Sequence, residues 1–207
     1  MRARLIRAVT AVVPVVTFPI AALSSRQSFR SAIYIAGGLA GVACLSLMLL
    51  QPLLVSGYLP GLKGASQRLW HRWFGAALIG CVALHVGGLY LTSPPDALDA
   101  LLLVSPTPFS VYGVVAMWGM VLTGLLVLLR KRFGYGAWRV IHNLLGAVIV
   151  GSTVVHALMI EGTMGGRSKL ALCLCLLLVS AVVLIDMRIL RPLRRNRAQK
   201  SRLKTGG

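Results

Sequence analysis

Carboxylates are scarce in this chain. It has four, Asp96, Asp99, Glu161 and Asp186, against 22 Lys and Arg, for a net charge of +18. No acid and no lysine lies near the middle of an apolar run. A proton or ion carrier needs ionisable groups at that depth, so that class is disfavoured. Cysteine is as sparse: Cys44, Cys81, Cys173 and Cys175 all sit inside apolar runs. No C-x-x-C-H occurs, which excludes covalent c-type haem attachment. Cys173 and Cys175 are two residues apart and fall on different faces of a helix, so they read as small core residues rather than ligands. A glycine-rich dinucleotide fingerprint and a P-loop are also missing. With 17 residues after the last apolar run, no flavin or nicotinamide domain is expected.

Apolar residues are abundant. They make up 57% of the 207 residues, the mean hydropathy is +0.82 and only 13% of residues are charged. That is too apolar for a soluble domain and right for a membrane bundle. Six runs, near residues 5–23, 31–54, 69–91, 108–129, 138–160 and 168–190, each approach the ~20 residues that cross a bilayer. The expected fold is all-α, an integral membrane bundle of six transmembrane helices over residues 1–190, with a basic tail at 191–207. The first run carries Pro14 and Pro19 after an MRAR start, like a signal peptide. A retained helix is expected there, because an even number of spans agrees with the charges.

Those charges alternate. Eighteen Lys and Arg fall at the N-terminus, in the second and fourth connections and in the tail, whereas Arg26, Arg30, Arg167 and Lys169 are the only four on the other side. The positive-inside rule then puts both termini in the cytoplasm of a multi-pass protein of the inner (plasma) membrane. Asp96, Asp99 and Glu161 fall outside, and Asp186 is expected to pair with a neighbouring arginine at the inner end of the last span. The basic residues lie between and after the apolar runs, so they suit anionic lipid rather than nucleic acid. The third connection, 92–107, has no Lys or Arg, and its ALDALLLV stretch suits a short helix on the outer surface. The tail RRNRAQKSRLKTGG reads as flexible and held near lipid headgroups.

The histidines carry the chemistry. There are four, His71, His85, His142 and His156, forming two pairs with 14 residues between members. Fourteen helical residues turn through about 1400°, close to four turns, and rise ~21 Å. Both imidazoles of a helix thus point to nearly one side, one near each edge of a ~30 Å hydrocarbon layer. The third and fifth spans run in the same direction, so His71 should face His142 on the inner side and His85 should face His156 on the outer side. Each pair suits one b-type haem with two axial imidazoles. A lone histidine in a helix is usually a packed residue, but ionisable residues inside membrane helices are rare and mostly functional. Here all four fall into one matched pattern. Zinc fits less well, because no Cys, Asp or Glu lies near either pair to complete a tetrahedron.

Three further features accompany the pattern. Gly75, Gly80, Gly87 and Gly88 in the third span, and Gly146, Gly151 and Ser152 in the fifth, would let a porphyrin approach the backbone, although small residues also serve ordinary helix packing. Arg68, Arg72 and Arg139 lie within a turn of the inner histidines and could fork onto propionates; topology alone would also place them there. Arg167 and Lys169 are the weaker outer candidates. Trp70, Trp73, Tyr135 and Trp138 at the inner edge, with Tyr90 and Tyr112 at the outer one, read as an aromatic belt. Trp118 sits near mid-depth beside Met117 and Met120; packing is its plainer role, electron transfer between haems the bolder one.

The segments RLWHRWFGAALIGCVALHVGGLYL and YGAWRVIHNLLGAVIVGSTVVHALMIEGT resemble the third and fifth helices of the ferric reductase-like transmembrane domain. That superfamily includes ferric reductases, NADPH oxidases and the haem-binding subunit of a bacterial methionine sulfoxide reductase system. The resemblance implies two b-type haems on His71/His142 and His85/His156. It also implies stepwise one-electron transfer across the membrane, usually from the cytoplasm outward. Ferric reductases and NADPH oxidases carry a flavin and nicotinamide domain after the sixth helix. Here the electrons are expected from a separate reductase, flavin or quinol donor, and the outer acceptor is unknown. Two other readings remain: the haem subunit of a periplasmic methionine sulfoxide reductase system, and a haem-free transporter or scaffold. Two equal 14-residue intervals favour the ferric reductase type.

Overall fold

The structure is a computed structural model that describes residues 30–205, apart from 60 and 63. Among these residues all regular structure is helical. Five of the described helices are long and apolar enough to cross a membrane. The expected span at 5–23 lies outside the described residues.

Helix α1, Ala32–Ser56, starts at Ser31, whose hydroxyl caps the Tyr34 amide at 3.2 Å, and ends at Gly57 in the left-handed region, φ 79°. Helix α2, Ala65–Thr92, carries His71 and His85. The short α3, Pro94–Leu101, fills half of the expected loop and starts three residues earlier than ALDALLLV. Helix α4 spans Pro108–Leu128, and its proline needs no amide partner at a first turn. A 3₁₀ turn at Arg130–Arg132 leads into α5, Tyr135–Met159, which carries His142 and His156. Helix α6, Gly166–Ile185, passes through a π-helical turn, Asp186–Leu190, into α7, Arg191–Thr205. The tail expected to be flexible is therefore helical through Thr205. Its backbone runs on from α6 through the π-helical turn, and Arg, Lys, Gln and Ala are good helix formers.

Packing is uneven. Helix α1 lies along α2 and α6, and α5 lies along α4 and α6, while α2 only brushes α4. The backbones of α2 and α5 are not closely packed, and the two helices face one another across an interior. The core sits chiefly between α1 and α6, where Leu49, Leu53, Leu172, Cys173 and Leu176 are fully buried. By contrast, α2 buries only Leu78, and its many exposed apolar residues suit lipid rather than water.

The connections sort the charges. The turn at 130–132 and the starts of α2 and α5 share one end with α7, and that end holds Arg68, Arg72, Arg139 and Arg188. Asp96, Asp99 and Glu161 lie at the opposite end. At the basic end Asp186 is buried. Its Oδ2 accepts from Tyr58 Oη at 2.7 Å and from Arg191 Nε at 2.8 Å, and Arg191 also donates to the Ser56 carbonyl. The expected arginine pairing is thus present, and it clasps the end of α1 to the α6–α7 junction. Burial, and then the hydrogen bond with the Asp186 carboxylate, push the Tyr58 phenol above its ordinary pKa.

Candidate functional site

The interior between α2 and α5 is where the histidines meet. His71 and His142 stand with ring centroids 6.1 Å apart and planes at 76°. His85 and His156 stand 6.4 Å apart at 79°. All four are half-buried. The spacing follows from the sequence: two parallel helices each repeat the same 14-residue interval, so their registers coincide at both ends. Midway along each interval sits a buried aliphatic residue, Leu78 on α2 and Ile149 on α5, and both belong to one apolar cluster with Met120 of α4. Two polar layers are thus separated by an apolar one.

The His85/His156 layer is braced from behind. His85 Nδ1 lies 2.8 Å from the Gly37 carbonyl on α1, and His156 Nδ1 lies 2.8 Å from the Phe109 carbonyl on α4. A carbonyl only accepts, so Nδ1 carries the proton in both rings and Nε2 keeps its lone pair. Phe109 adds an edge contact to His156, with centroids 5.9 Å apart.

The His71/His142 layer has no such brace. Among the described residues six buried side-chain polar atoms lack a partner, and five of them gather here: Gln51 Oε1, His71 Nδ1, Trp138 Nε1, His142 Nδ1 and Arg188 Nε. Trp138 lies flat on His142, centroids 5.3 Å apart and planes within 9°. Gln51 of α1 donates to the His71 carbonyl at 3.4 Å. Arg188, half-buried, donates to Asn143 Oδ1 at 2.9 Å, one residue from His142.

The remaining candidates lie further out. Arg72 and Arg139 are exposed, and Arg139 sets its guanidinium 5.5 Å from the centre of the Tyr135 ring. Trp70, Trp73 and Tyr135 are exposed, as an aromatic belt requires, whereas Trp138 is not part of it. Trp118 on α4 is 53% exposed, so it does not pack in the core. Sequence reasoning misses Arg188, which reads there only as tail charge. It also misses Trp138 as a histidine partner, although the two are four residues apart on one helix. Lys169 closes the α5–α6 connection by donating to the Ile160 carbonyl.

Chemically, each layer offers two opposed imidazoles. Nitrogens ~2 Å from a shared ion put the ring centres about 6 Å apart, as found in both layers. Among the described residues no group of three or more His, Cys, Asp or Glu is assembled. A bare tetrahedral ion would therefore lack ligands, whereas a macrocycle supplies its own.

A family model described as "Ferric reductase like transmembrane component" matches residues 37–153, more than half of the chain. The match takes in His71, His85 and His142 and stops three residues short of His156. No curated protein and no solved structure matches.

Proposed function

The chain belongs to the ferric reductase-like transmembrane family, and on that premise we propose that it is a two-haem b-type cytochrome that carries electrons across a membrane. His71 and His142 hold one haem, His85 and His156 the other. The observation that carries this is the equal width of the two layers, 6.1 and 6.4 Å between opposed imidazoles, which fits two axial nitrogens on one iron.

Held by two histidines in each layer, haem would supply a one-electron couple suited to outer-sphere electron transfer. The protein's part is orientation, polarity and exclusion of water. Leu78 and Ile149 keep the space between the layers apolar. The Gly37 and Phe109 carbonyls fix the rings of one layer. At the other, the sealed donors Trp138 Nε1 and Arg188 Nε lack acceptors, and haem brings carboxylates. Arg188 is therefore a better propionate partner than the exposed Arg72 and Arg139. Electrons enter from a separate reductase, flavin or quinol donor at the basic end, which the positive-inside rule turns to the cytoplasm, and leave to an acceptor at the opposite end.

The test is direct. Protein purified in mild detergent is expected to show low-spin b-type bands in oxidised and dithionite-reduced spectra, with about two haems per chain, the number set by four axial histidines. One haem per chain would point instead to a subunit of the methionine sulfoxide reductase type. No haem after expression with ample haem supply would overturn the proposal.

A further inference from the structure

The two braced histidines are held by one arrangement built twice. On α1 the Gly37 carbonyl accepts from His85, and four residues later stands Gly41. On α4 the Phe109 carbonyl accepts from His156, and four residues later stands Gly113. The coincidence has a geometric cause. A helical carbonyl points along the axis toward residue i+4, whose amide it already accepts. A second donor must reach the oxygen from the side, across the place where the Cβ of residue i+4 would be. At Gly41 a Cβ would lie 3.0 Å from His85 Nδ1 and 3.1 Å from Cε1. At Gly113 it would lie 2.8 Å from His156 Nδ1 and 2.9 Å from Cε1. A side chain at Gly113 would force the His156 ring to shift, and one at Gly41 would make the His85 ring give by a few tenths of an ångström.

We propose that Gly41 and Gly113 are positioning residues for the His85/His156 haem: each leaves open the approach by which the ring bonds the carbonyl four residues earlier. This rests on the haem reading above and deepens it. The bond fixes the tautomer with Nε2 free, sets the rotation of the ring and makes the imidazole a stronger donor. A stronger axial donor favours the oxidised iron and lowers the potential of that layer. Gly124 and Gly162 offer a contrast. A Cβ at Gly124 would make an ordinary contact with Ile79 Cδ1 at 3.6 Å, and one at Gly162 would meet Ile160 Cγ2 at 3.9 Å, so alanine at either touches no histidine.

The experiment compares Gly41→Ala and Gly113→Ala with Gly124→Ala and Gly162→Ala in the full-length detergent-purified protein. Haem per chain, the low-temperature EPR spectrum of the ferric form and a potentiometric titration are recorded for each. The expected result is that Gly113→Ala, and more mildly Gly41→Ala, changes one of the two haem components: its EPR anisotropy shifts and its midpoint rises, while the other component and both controls stay as in the parent. Should Gly113→Ala fail to accumulate, Gly41→Ala decides alone, since its contact is the looser one. A parent with two haems whose components are unmoved in both test variants overturns this inference and leaves the haem assignment standing. Equal movement of both components, or equal movement in the controls, overturns it too. A parent without haem overturns the underlying reading instead.

Discussion

The two histidine layers have nearly the same width, 6.1 and 6.4 Å, and nearly the same crossing angle, 76° and 79°, yet they are held by different means. In the His85/His156 layer each ring has one nitrogen committed to a backbone carbonyl of a neighbouring helix. A backbone oxygen within a helix cannot rotate away, so the brace is rigid. In the His71/His142 layer the corresponding nitrogens are sealed and unpartnered, and what surrounds them is a stacked indole and a half-buried guanidinium. One layer is preorganised by the protein alone. The other has polar capacity still to be used, which suits the layer nearer the basic end, where a cofactor's carboxylates would lie. In the proposed assignment the ligands are the same in both, so any difference in redox character would come from these surroundings.

The harshest test of the comparison removes the ligands. His71→Ala or His142→Ala should take haem content from two to one per chain and leave the braced layer's spectrum intact, and His85→Ala or His156→Ala should do the reverse. Pyridine haemochrome assay with EPR on each variant checks this; loss of both haems from any single change would merge the layers into one unit. The next test concerns potential. The braced layer should have the lower midpoint, because its rings donate more strongly, and the Arg188 charge beside His142 favours the reduced iron in the other. Arg188→Gln should then lower the His71/His142 midpoint by on the order of tens of mV, a tenfold change in the couple being ~59 mV, and leave the braced haem unmoved. A redox titration of the variant gives both values.

A smaller effect separates clearing a histidine from ordinary packing. Gly119 on α4 has the same tightness as Gly113, but a Cβ there would meet Ile149 Cγ1 at 2.8 Å rather than an imidazole. Gly119→Ala should therefore cost about 1–3 kcal/mol by overpacking, seen as a lower melting temperature in detergent, with both haem potentials unchanged. A shift in either potential would mean that the apolar floor between the layers also positions the rings.

Much of this frame is legible from spacing alone. Apolar run length marks the five described spans, because crossing a bilayer sets a minimum length, and the 14-residue intervals bring the histidines to one face. The supports are not legible, because they depend on which helix lies behind which. Gly80, Gly87, Gly146 and Gly151 stand out as glycines of the histidine helices, yet the ring-clearing glycines are Gly41 and Gly113 on the neighbouring helices. Gly88, which stands out with them, instead seats the α1–α2 contact, where its Cβ would come 3.0 Å from Gly37 Cα. The repeat of α1–α2 in α4–α5 is equally hidden. It lies in a carbonyl, which has no sequence signature, and in a glycine four residues on that is one among 22. Arg188 is masked by the seven other basic residues of its segment, and only the π-helical turn through Asp186–Leu190 brings it against Asn143.

Trp138 offers the finest test, because the sign of its effect is informative. Its indole N–H is sealed and has no acceptor among the described residues, and an unpartnered buried donor costs about 1–3 kcal/mol. Phenylalanine at this position keeps an aromatic ring against His142 and removes the donor. If nothing accepts from that N–H in the loaded protein, Trp138→Phe should raise the melting temperature slightly and leave haem retention as it was. If a propionate of the His71/His142 haem accepts it, the same change deletes one hydrogen bond to a charged group, and that haem alone should dissociate faster. The proposed assignment expects the second outcome. Transfer of haem to an excess of an apo-haem-binding acceptor, followed spectrally, would measure it, with the braced layer in the same molecule as the internal reference.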